Sequence, residues 1–248
     1  MSRQCRFVLF QFVLVCGLSL PLTAWASDDG SSPQRPSGNL IKRFCDDYKT
    51  VHGNGRLLDL KGKALPALVV VGGLTVCDEE TYGEINRLYS GKLSDEVSDC
   101  GNWLGSLYGA LTVTGGLSLL GGSEGKDDAK LLLAALADAG IDVSIMKCLA
   151  GRERPLQSGG ETVFRGPSLS FSSFPSEHTA VAFAMATVLG KRHPRQQALY
   201  MTLAGLVGLA RIHDHRHFLS DAVAGAMVGM DSGKRVMANE EGILRWRF

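Results

Sequence analysis

The chain has 248 residues, with 26 lysines and arginines against 25 aspartates and glutamates, so its formal net charge is only +1. This length fits one sizeable domain with a real hydrophobic core, and the near-neutral balance argues against a nucleic-acid-binding protein, which usually carries a basic excess. The 30 glycines are scattered rather than periodic, which excludes a collagen-like chain.

The first 26 residues have the features of an export signal. Arg3 and Arg6 precede a nearly uninterrupted apolar stretch at 7–22, and the small-x-small sequence at 24–26 follows it. These features predict a cleaved signal peptide and therefore a periplasmic or secreted protein. If the segment is not cleaved, the same apolar stretch predicts a membrane anchor.

Four cysteines remain in the predicted mature chain: Cys45, Cys77, Cys100 and Cys148. In an exported protein this number favours two disulfides, for which three pairings are possible. No two of these cysteines have the CxxC spacing, which argues against a zinc knuckle or a thioredoxin-type site.

The rest of the chain divides by composition. Residues 27–39 are rich in Ser, Gly and Pro and are predicted to form a disordered linker. An N-terminal helical region at 40–104, a catalytic core at 105–233 and a C-terminal tail at 234–248 follow.

Hydropathy favours a soluble bundle for the mature chain. The mean hydropathy of +0.06 and the 21% of charged residues are high in polarity for a chain with many membrane spans. The apolar runs are also shorter than the roughly 18 to 20 residues that a span needs. They are typical of core helices, and peripheral membrane contact remains an open alternative.

Helices are predicted throughout, and no alternating strand pattern occurs. The acidic triplet at 78–80 and the sequence Ser94-Asp95-Glu96 are each predicted to begin a helix, since negative side chains suit a helix N-terminus. The segment 103–120 is predicted to be one buried helix, and 127–148 is the clearest amphipathic one. Further helices are predicted at 175–189, 196–209 and 217–230, with a loop at 151–173. The fold class is therefore mainly α, a helical bundle.

Three polar clusters interrupt the apolar helices, each where a helix meets a loop: 147–155, 174–178 and 210–221. Such helix ends can converge at one end of an antiparallel bundle. The cations Lys147, Arg154 and Arg211 could then surround a phosphate dianion, which Arg matches in a bidentate way. Ser176, at a predicted helix start, would add a hydroxyl beside free backbone amides.

Two histidines and one carboxylate complete this set. His217 and Asp221 are four residues apart and share a face if both lie on a helix. The carboxylate would hold one imidazole nitrogen as N–H and leave the other free to attack phosphorus. His178 could protonate the leaving alkoxide and then activate water. The set requires no metal.

A metal site is the alternative for the alternating histidines His213, His215 and His217, because imidazole is a common ligand. Alternate residues share a face on a strand, whereas this stretch joins two predicted helices. No further set of acidic and histidine ligands accompanies it, so a metal is not predicted, and His213 and His215 are expected to line the site entrance or face solvent.

The order KxxxxxxRP, PSxH and RxxxxxHxxxD resembles the signature of the type 2 phosphatidic acid phosphatase (PAP2) and vanadium haloperoxidase superfamily, over about residues 105–229. The resemblance implies an α-helical bundle of that type with its active site at one end. It also implies phosphate-binding roles for Lys147, Arg154, Arg211, Ser176 and the backbone at Glu177, with His178 as the acid and His217, supported by Asp221, as the nucleophile.

The chain departs from the family pattern at two positions. Glu177 stands where the family usually has Gly, so a carboxylate lies beside the expected phosphate site unless it pairs with a nearby cation. Ala210 stands where Ser is common, which removes one hydroxyl.

The expected function is hydrolysis of phosphate monoesters, first of all lipid phosphates such as phosphatidate, through a phosphohistidine and without a cofactor. Vanadate could occupy the same phosphate site. The alternatives are a non-specific acid phosphatase for soluble monoesters, a vanadate-dependent haloperoxidase, and a non-catalytic bundle in which Glu177 has spoiled the phosphate site. The expected partner is a lipid or small phosphomonoester, and not a nucleic acid.

Overall fold

The computed structural model describes residues 64–88 and 92–244, and these contain helices, turns and one isolated antiparallel bridge between Arg152 and Phe164, but no strand. The mainly α prediction is therefore confirmed. The helices are α1 (Ala64–Val76), α2 (Asp78–Leu88), α3 (Lys92–Leu104), α4 (Leu107–Leu120), α5 (Gly122–Ala150), α6 (Pro155–Ser158), α7 (Glu177–Arg192), α8 (Gln197–His213), α9 (Leu219–Ala238) and α10 (Glu240–Leu244).

The prediction of one buried helix at 103–120 is wrong in two respects. The helix is interrupted at residues 105–106. The Ser106 hydroxyl caps the following helix, α4, by accepting a hydrogen bond from Gly109 N at 3.0 Å. The helix is also not fully buried, since Tyr108 and Leu119 are 82% and 85% exposed. A short polar cap therefore divides what reads in sequence as one apolar run.

Helix α7 lies at the centre of the bundle and packs against α5, α8 and α9. Eleven of its 16 residues are buried, and they occur on every side of the helix. A helix that is apolar all round is stable only when neighbours cover all its faces. The position of α7 therefore follows from its composition.

The contact between α7 and α9 brings two backbones together. A side chain on Gly225 would put its Cβ 2.3 Å from the carbonyl oxygen of Ser176, and one on Gly229 would put it 2.2 Å from that of Ala180. Both separations are far below van der Waals contact, so the two glycines permit this approach. As a result, the N-terminal ends of α7 and α9 are held side by side.

Two acidic residues of α5, Asp138 and Asp142, are buried in the bundle. Asp138 and Asp142 both form ion pairs with Arg235 of α9. The cation is the reason that these carboxylates can face the bundle. Helix α9 runs to Ala238, so the predicted boundary between core and tail at 233–234 falls inside a helix.

The cysteines do not form two disulfides among the four positions predicted, because Cys77 and Cys148 are free thiols, whereas Cys100 is disulfide-bonded. The predicted signal peptide and linker lie outside the described residues.

Within residues 64–88 and 92–244, no single helix has both the length and the apolar composition of a membrane span. Two consecutive helical segments, Ser98–Leu104 and Leu107–Leu120, are together long and apolar enough for a span, but the path bends by 66° between them.

Candidate active site

Lys147 lies in the last turn of α5, where its amine points back over the loop that follows. Its Nζ donates a hydrogen bond to the Ser172 carbonyl at 2.8 Å. The helix ends at Gly151, which is left-handed with φ of 52° and whose Cβ, if present, would lie 1.8 Å from the carbonyl oxygen of Gly166. Only glycine fits both constraints, so the chain turns sharply after Lys147. Burial first, and then the charge of Arg154, lower the pKa of Lys147, while Glu177 opposes them.

Arg154 follows within the same loop and is half-buried. One of its terminal nitrogens donates to the Ser172 hydroxyl at 3.3 Å, so Ser172 contacts both predicted phosphate-binding cations of this segment. Burial, and then the nearby charge of Arg216, lower the pKa of Arg154. These two cations therefore lie close together and partly shielded from water.

Ser176 is buried at the N-cap of α7, next to the predicted anion site. Its backbone N–H donates to the carbonyl of Asp221 at 2.9 Å, and its hydroxyl accepts from Thr179 rather than capping the helix. The backbone amide of Ser176 is thus occupied. The amides of Glu177 and His178 belong to the first turn of α7, where no intrahelical acceptor exists and where backbone N–H groups can bind an anion.

His178 lies in the first turn of α7, close to several cationic side chains. Burial, followed by the charges of Arg211, His217, Lys147 and Arg154, lowers its pKa from 6.5 to about 3. A histidine senses four such groups only when they converge on one small region. The structure therefore brings together the predicted cations and both predicted catalytic histidines.

His217 is not on a helix, contrary to the prediction that α9 begins at this residue. It lies just before Phe218, the N-cap of α9. Its backbone N–H donates to the Arg211 carbonyl at 3.2 Å, which folds the loop back onto the end of α8. His217 Nδ1 lies 3.6 Å from Asp221 Oδ2, within ion-pair range but beyond hydrogen-bond distance.

Asp221 holds this arrangement from the first turn of α9. Its Oδ2 accepts hydrogen bonds from Phe218 N at 3.0 Å and from Ser173 Oγ at 2.6 Å. Burial alone would raise the pKa of Asp221, but His217, Arg152 and Ser173 outweigh burial and keep it below its usual range. Burial lowers the pKa of His217, although Asp221 opposes this effect. An ionised Asp221 therefore faces a neutral imidazole, whose Nε2 is on the side away from the carboxylate.

Arg211, in the last turn of α8, is the third predicted phosphate-binding cation. Its Nη1 donates to the side-chain oxygen of Asn102 on α3. The Asn102 amide donates in turn to Asp214, which also accepts from Ser98 Oγ at 2.6 Å. Burial first lowers the pKa of Arg211 to about 10, and Arg154 acts in the same direction. The group still carries its charge at neutral pH, and helix α3 fixes its position.

Glu177 points its carboxylate toward Lys147 rather than away from the cations. Its Oε2 lies 3.8 Å from Lys147 Nζ, and its side chain is 56% exposed. The family departure at this position therefore places an acidic group at the rim of the site.

Arg152 and Asp78 are not among the site residues predicted from the sequence. Both are fully buried behind the site, where Arg152 forms ion pairs with Asp78 at 2.8 Å and with Asp221 at 2.6 Å. The RxRP sequence at 152–155 contains a second arginine, but nothing in its spacing says which of the two faces inward.

The three alternating histidines point to different partners. His213 lies 3.2 Å from Asp214, and His215 Nδ1 is 2.5 Å from the hydroxyl of Tyr82. In the part of the chain that the structure describes, no group of three His, Cys, Asp or Glu side chains has the arrangement of a metal site.

The family model of the PAP2 superfamily matches residues 128–239. A lipid A 1-phosphatase of Porphyromonas gingivalis is 42% identical over 67 residues, which are 25% of this chain and 15% of that protein. The bacitracin transport permease protein BcrC of Bacillus licheniformis is 36% identical over 59 residues, which are 24% of this chain and 29% of that protein. The match thus spans less than a third of either curated relative.

Two crystal structures share the fold. LpxE of Aquifex aeolicus is 27% identical with a TM-score of 0.53, over 64% of this chain and 93% of that one. The first transmembrane PAP2 type phosphatidylglycerolphosphate phosphatase from Bacillus subtilis is 21% identical with a TM-score of 0.54, over 75% of this chain and 99% of that one. The all-helical fold, the three motifs in order and the match of the family model over residues 128–239 together show that this part of the chain is a PAP2 superfamily domain.

Proposed function

We propose that this chain is a lipid phosphatase, which hydrolyses phosphate monoesters through a phosphohistidine on His217. The observation that carries the proposal is the convergence of Lys147, Arg154 and Arg211 around the two histidines. Three cations at one place cost electrostatic energy in the free protein, and a bound phosphate dianion relieves this repulsion.

The reaction has two steps. In the first, the lone pair of His217 Nε2 attacks phosphorus, the phosphorus–alkoxide bond breaks, and His178 gives its proton to the departing alkoxide. In the second, His178 takes a proton from water, the hydroxide attacks phosphorus, and the phosphorus–nitrogen bond breaks to release inorganic phosphate and restore the imidazole. Asp221 keeps Nδ1 as N–H throughout, which leaves Nε2 unprotonated for attack.

The cations supply the stabilisation of the transition state. The transferring phosphoryl group spreads its charge over three equatorial oxygens, and fixed cations there need no reorganisation during the reaction. Their side chains are held before substrate binds, Lys147 and Arg154 by Ser172 and Arg211 by Asn102. This preorganisation supports catalysis rather than binding alone.

A lipid substrate is supported by the surface next to the site. Gly105 packs against His178 so closely that a Cβ on it would lie 2.9 Å from that of His178. Helix α4 begins two residues later, and its exposed side chains include Leu107 and Tyr108. Leu169, on the loop that also carries Arg154, is 91% exposed. Exposed apolar side chains around a polar site suit a substrate with acyl chains at a lipid surface. Two of the relatives named above act, by their names, on phosphorylated lipids.

The test measures phosphate release by the purified full chain from phosphatidate in mixed micelles and from p-nitrophenyl phosphate, both in EDTA. We expect turnover of both, with a preference for the lipid, and loss of turnover in His217→Ala. His193→Ala is the matched control, because His193 lies at the opposite end of α7.

The outcomes separate the alternatives. Turnover of p-nitrophenyl phosphate alone would indicate an acid phosphatase for soluble monoesters. Loss of activity in EDTA that returns with a divalent cation would contradict the metal-free mechanism. Absence of turnover on both substrates, in folded protein that still binds vanadate, would leave a haloperoxidase or a non-catalytic anion-binding bundle.

A further inference from the structure

A fully buried arginine lies between two carboxylates directly behind His217. Arg152 Nη1 donates to Asp221 Oδ1 at 2.6 Å, and Nη2 donates to Asp78 Oδ2 at 2.8 Å. Its guanidinium also stacks on the ring of Phe218, 4.2 Å from the centroid. Arg152 therefore contacts the same carboxylate that orients the nucleophile, but from the side away from the imidazole.

Asp78 reaches this position from the first residue of α2, outside the region that matches the PAP2 family model. Its Oδ1 accepts from Ser220 N at 2.9 Å, and its Oδ2 also accepts from the Ser220 hydroxyl. Its side chain has no exposure to solvent. Three hydrogen bonds to a buried carboxylate, two of them from the first turn of α9, fix α2 against the helix that carries Asp221.

The charges alternate along the row of contacts that leads from α2 to the active site. Asp78 is negative, Arg152 positive and Asp221 negative, and next comes His217. Lys147, Arg211 and His178 face His217 from the other elements around it. With Asp78 present, the positive charge of Arg152 is shared between two carboxylates. Without it, Asp221 would be the nearest counter-charge of a buried guanidinium and would attract the imidazole N–H less.

From this row, and resting on the proposed function, we infer that Asp78 is a positioning residue of the active site, which acts through Arg152 to keep Asp221 available to His217. The consequence concerns the tautomer of the imidazole. A neutral His217 carries its proton on Nδ1 when Asp221 accepts from it, and only then is Nε2 free to attack. Loss of the charge at Asp78 should raise the share of the Nε2–H tautomer, which cannot act as a nucleophile.

The test compares single and double variants by ¹⁵N NMR of the full chain labelled at histidine, at neutral pH. The ¹⁵N chemical shifts of a neutral imidazole report which of its nitrogens carries the proton. Asp78→Asn keeps an oxygen for Ser220 N but removes the charge. We expect a larger Nε2–H share for His217 and a fall in kcat of about tenfold or more, with KM changed less than about twofold. Glu80→Gln, an exposed carboxylate in the same turn, is the matched control and should change neither.

The double variant Asp78→Asn/Arg152→Met removes both charges, and a methionine suits the site between the aromatic rings. We expect it to restore the Nδ1–H tautomer and to bring kcat back to within about threefold of the wild type. If Asp78→Asn does not fold, this double variant carries the test alone. A wild-type tautomer in folded Asp78→Asn, or an Nε2–H tautomer in the double variant, would overturn the inference.

The tautomer is measured without turnover, so failure of the two proposals can be distinguished. A chain without phosphatase activity whose His217 tautomer still responds to Asp78→Asn would contradict the proposed function and keep the positioning role.

Discussion

Glu177 and Lys147 form an ion pair at the rim of the anion site, with 3.8 Å between Glu177 Oε2 and Lys147 Nζ. The pair connects the first turn of α7 with the last turn of α5. One of the three cations thus has a counter-ion in the free protein, and under the proposed function a substrate phosphate would compete with this carboxylate for Lys147.

Replacement of Glu177 should therefore strengthen substrate binding. In Glu177→Gln we expect KM for an anionic monoester to fall by about fivefold at low salt, with kcat nearly unchanged. A change of about fivefold corresponds to the free energy that a partly exposed ion pair contributes. The difference should shrink at an ionic strength of about 0.15 M, because salt screens exposed charges. Glu161→Gln, an exposed carboxylate in the loop at 151–173, is the control for net charge. A higher KM in Glu177→Gln would mean that the carboxylate assists binding.

Binding of an anion should raise the pKa of His178. In the free protein, burial and the surrounding cations lower this pKa to about 3, so the imidazole is neutral at pH 5 to 7. A bound oxyanion cancels the cationic repulsion and favours the protonated form that an acid catalyst needs. Saturating vanadate should raise the pKa by about two units, as followed by NMR titration. The signal of His193, at the far end of α7, should not respond to vanadate. A His178 midpoint that stays the same in saturated protein would argue against its role as the acid.

Asn102 should matter for anion affinity, although it lies outside the three motifs. Asn102→Ala removes the acceptor that holds Arg211 and the donor to Asp214. We expect inhibition by vanadate to weaken by about tenfold, the effect of one hydrogen bond to a charged group. Circular dichroism would check that the fold is kept. Asn239→Ala, at the end of α9, is the matched control and should leave inhibition unchanged. Equal inhibition of Asn102→Ala and wild type would show that Arg211 needs no support from α3.

Asp128 should make stability depend on pH at the end of the bundle far from the site. It is buried and bonded to Arg192 and His193. Burial acts to raise its pKa, but these two partners outweigh burial and lower it. A carboxyl whose pKa is lower in the folded state stabilises the fold above its unfolded value of about 3.9, and this contribution disappears as pH falls through the folded value.

We therefore expect Asp128→Asn to lower the free energy of unfolding by about 3 kcal/mol at neutral pH, because Arg192 loses a buried partner. The difference between variant and wild type should narrow below about pH 4 in denaturant titrations. Asp127→Asn, the neighbouring and more exposed carboxylate, is the control and should change stability by less than about 1 kcal/mol. If the difference in unfolding free energy between Asp128→Asn and wild type stayed constant down to the acid transition, ionisation of Asp128 would not be the cause of the pH dependence of stability.

Part of the site could be predicted because its residue types and order are informative. The helix start at Asp78, the buried positions of α5 and the placement of Ser176 before α7 all follow from local rules of charge, periodicity and capping. The predicted helical position of His217 was wrong, because Asp221 reaches back to cap the helix and leaves the histidine in the preceding loop. Spacing of four residues is compatible with both geometries.

The supporting residues could not be predicted from one sequence. Arg152 and Arg154 are two residues apart and chemically identical, and only the packing of Phe218 and Asp78 turns the first one inward. Asn102 meets Arg211 across more than a hundred residues of sequence. Contacts of that separation depend on how the helices cross, which no local pattern contains.

The close approach of α7 and α9 at Gly225 and Gly229 limits how this site can change. Even a methyl group at either position would push apart the two helices whose beginnings carry His178 and Asp221. The spacing between His178 and Asp221 is thus set by the packing of the two helices and cannot be adjusted gradually. Adaptation to a larger or differently charged substrate has to occur on the rim, at side chains such as Glu177 or the exposed apolar residues of α4, where substitutions leave the reacting geometry intact.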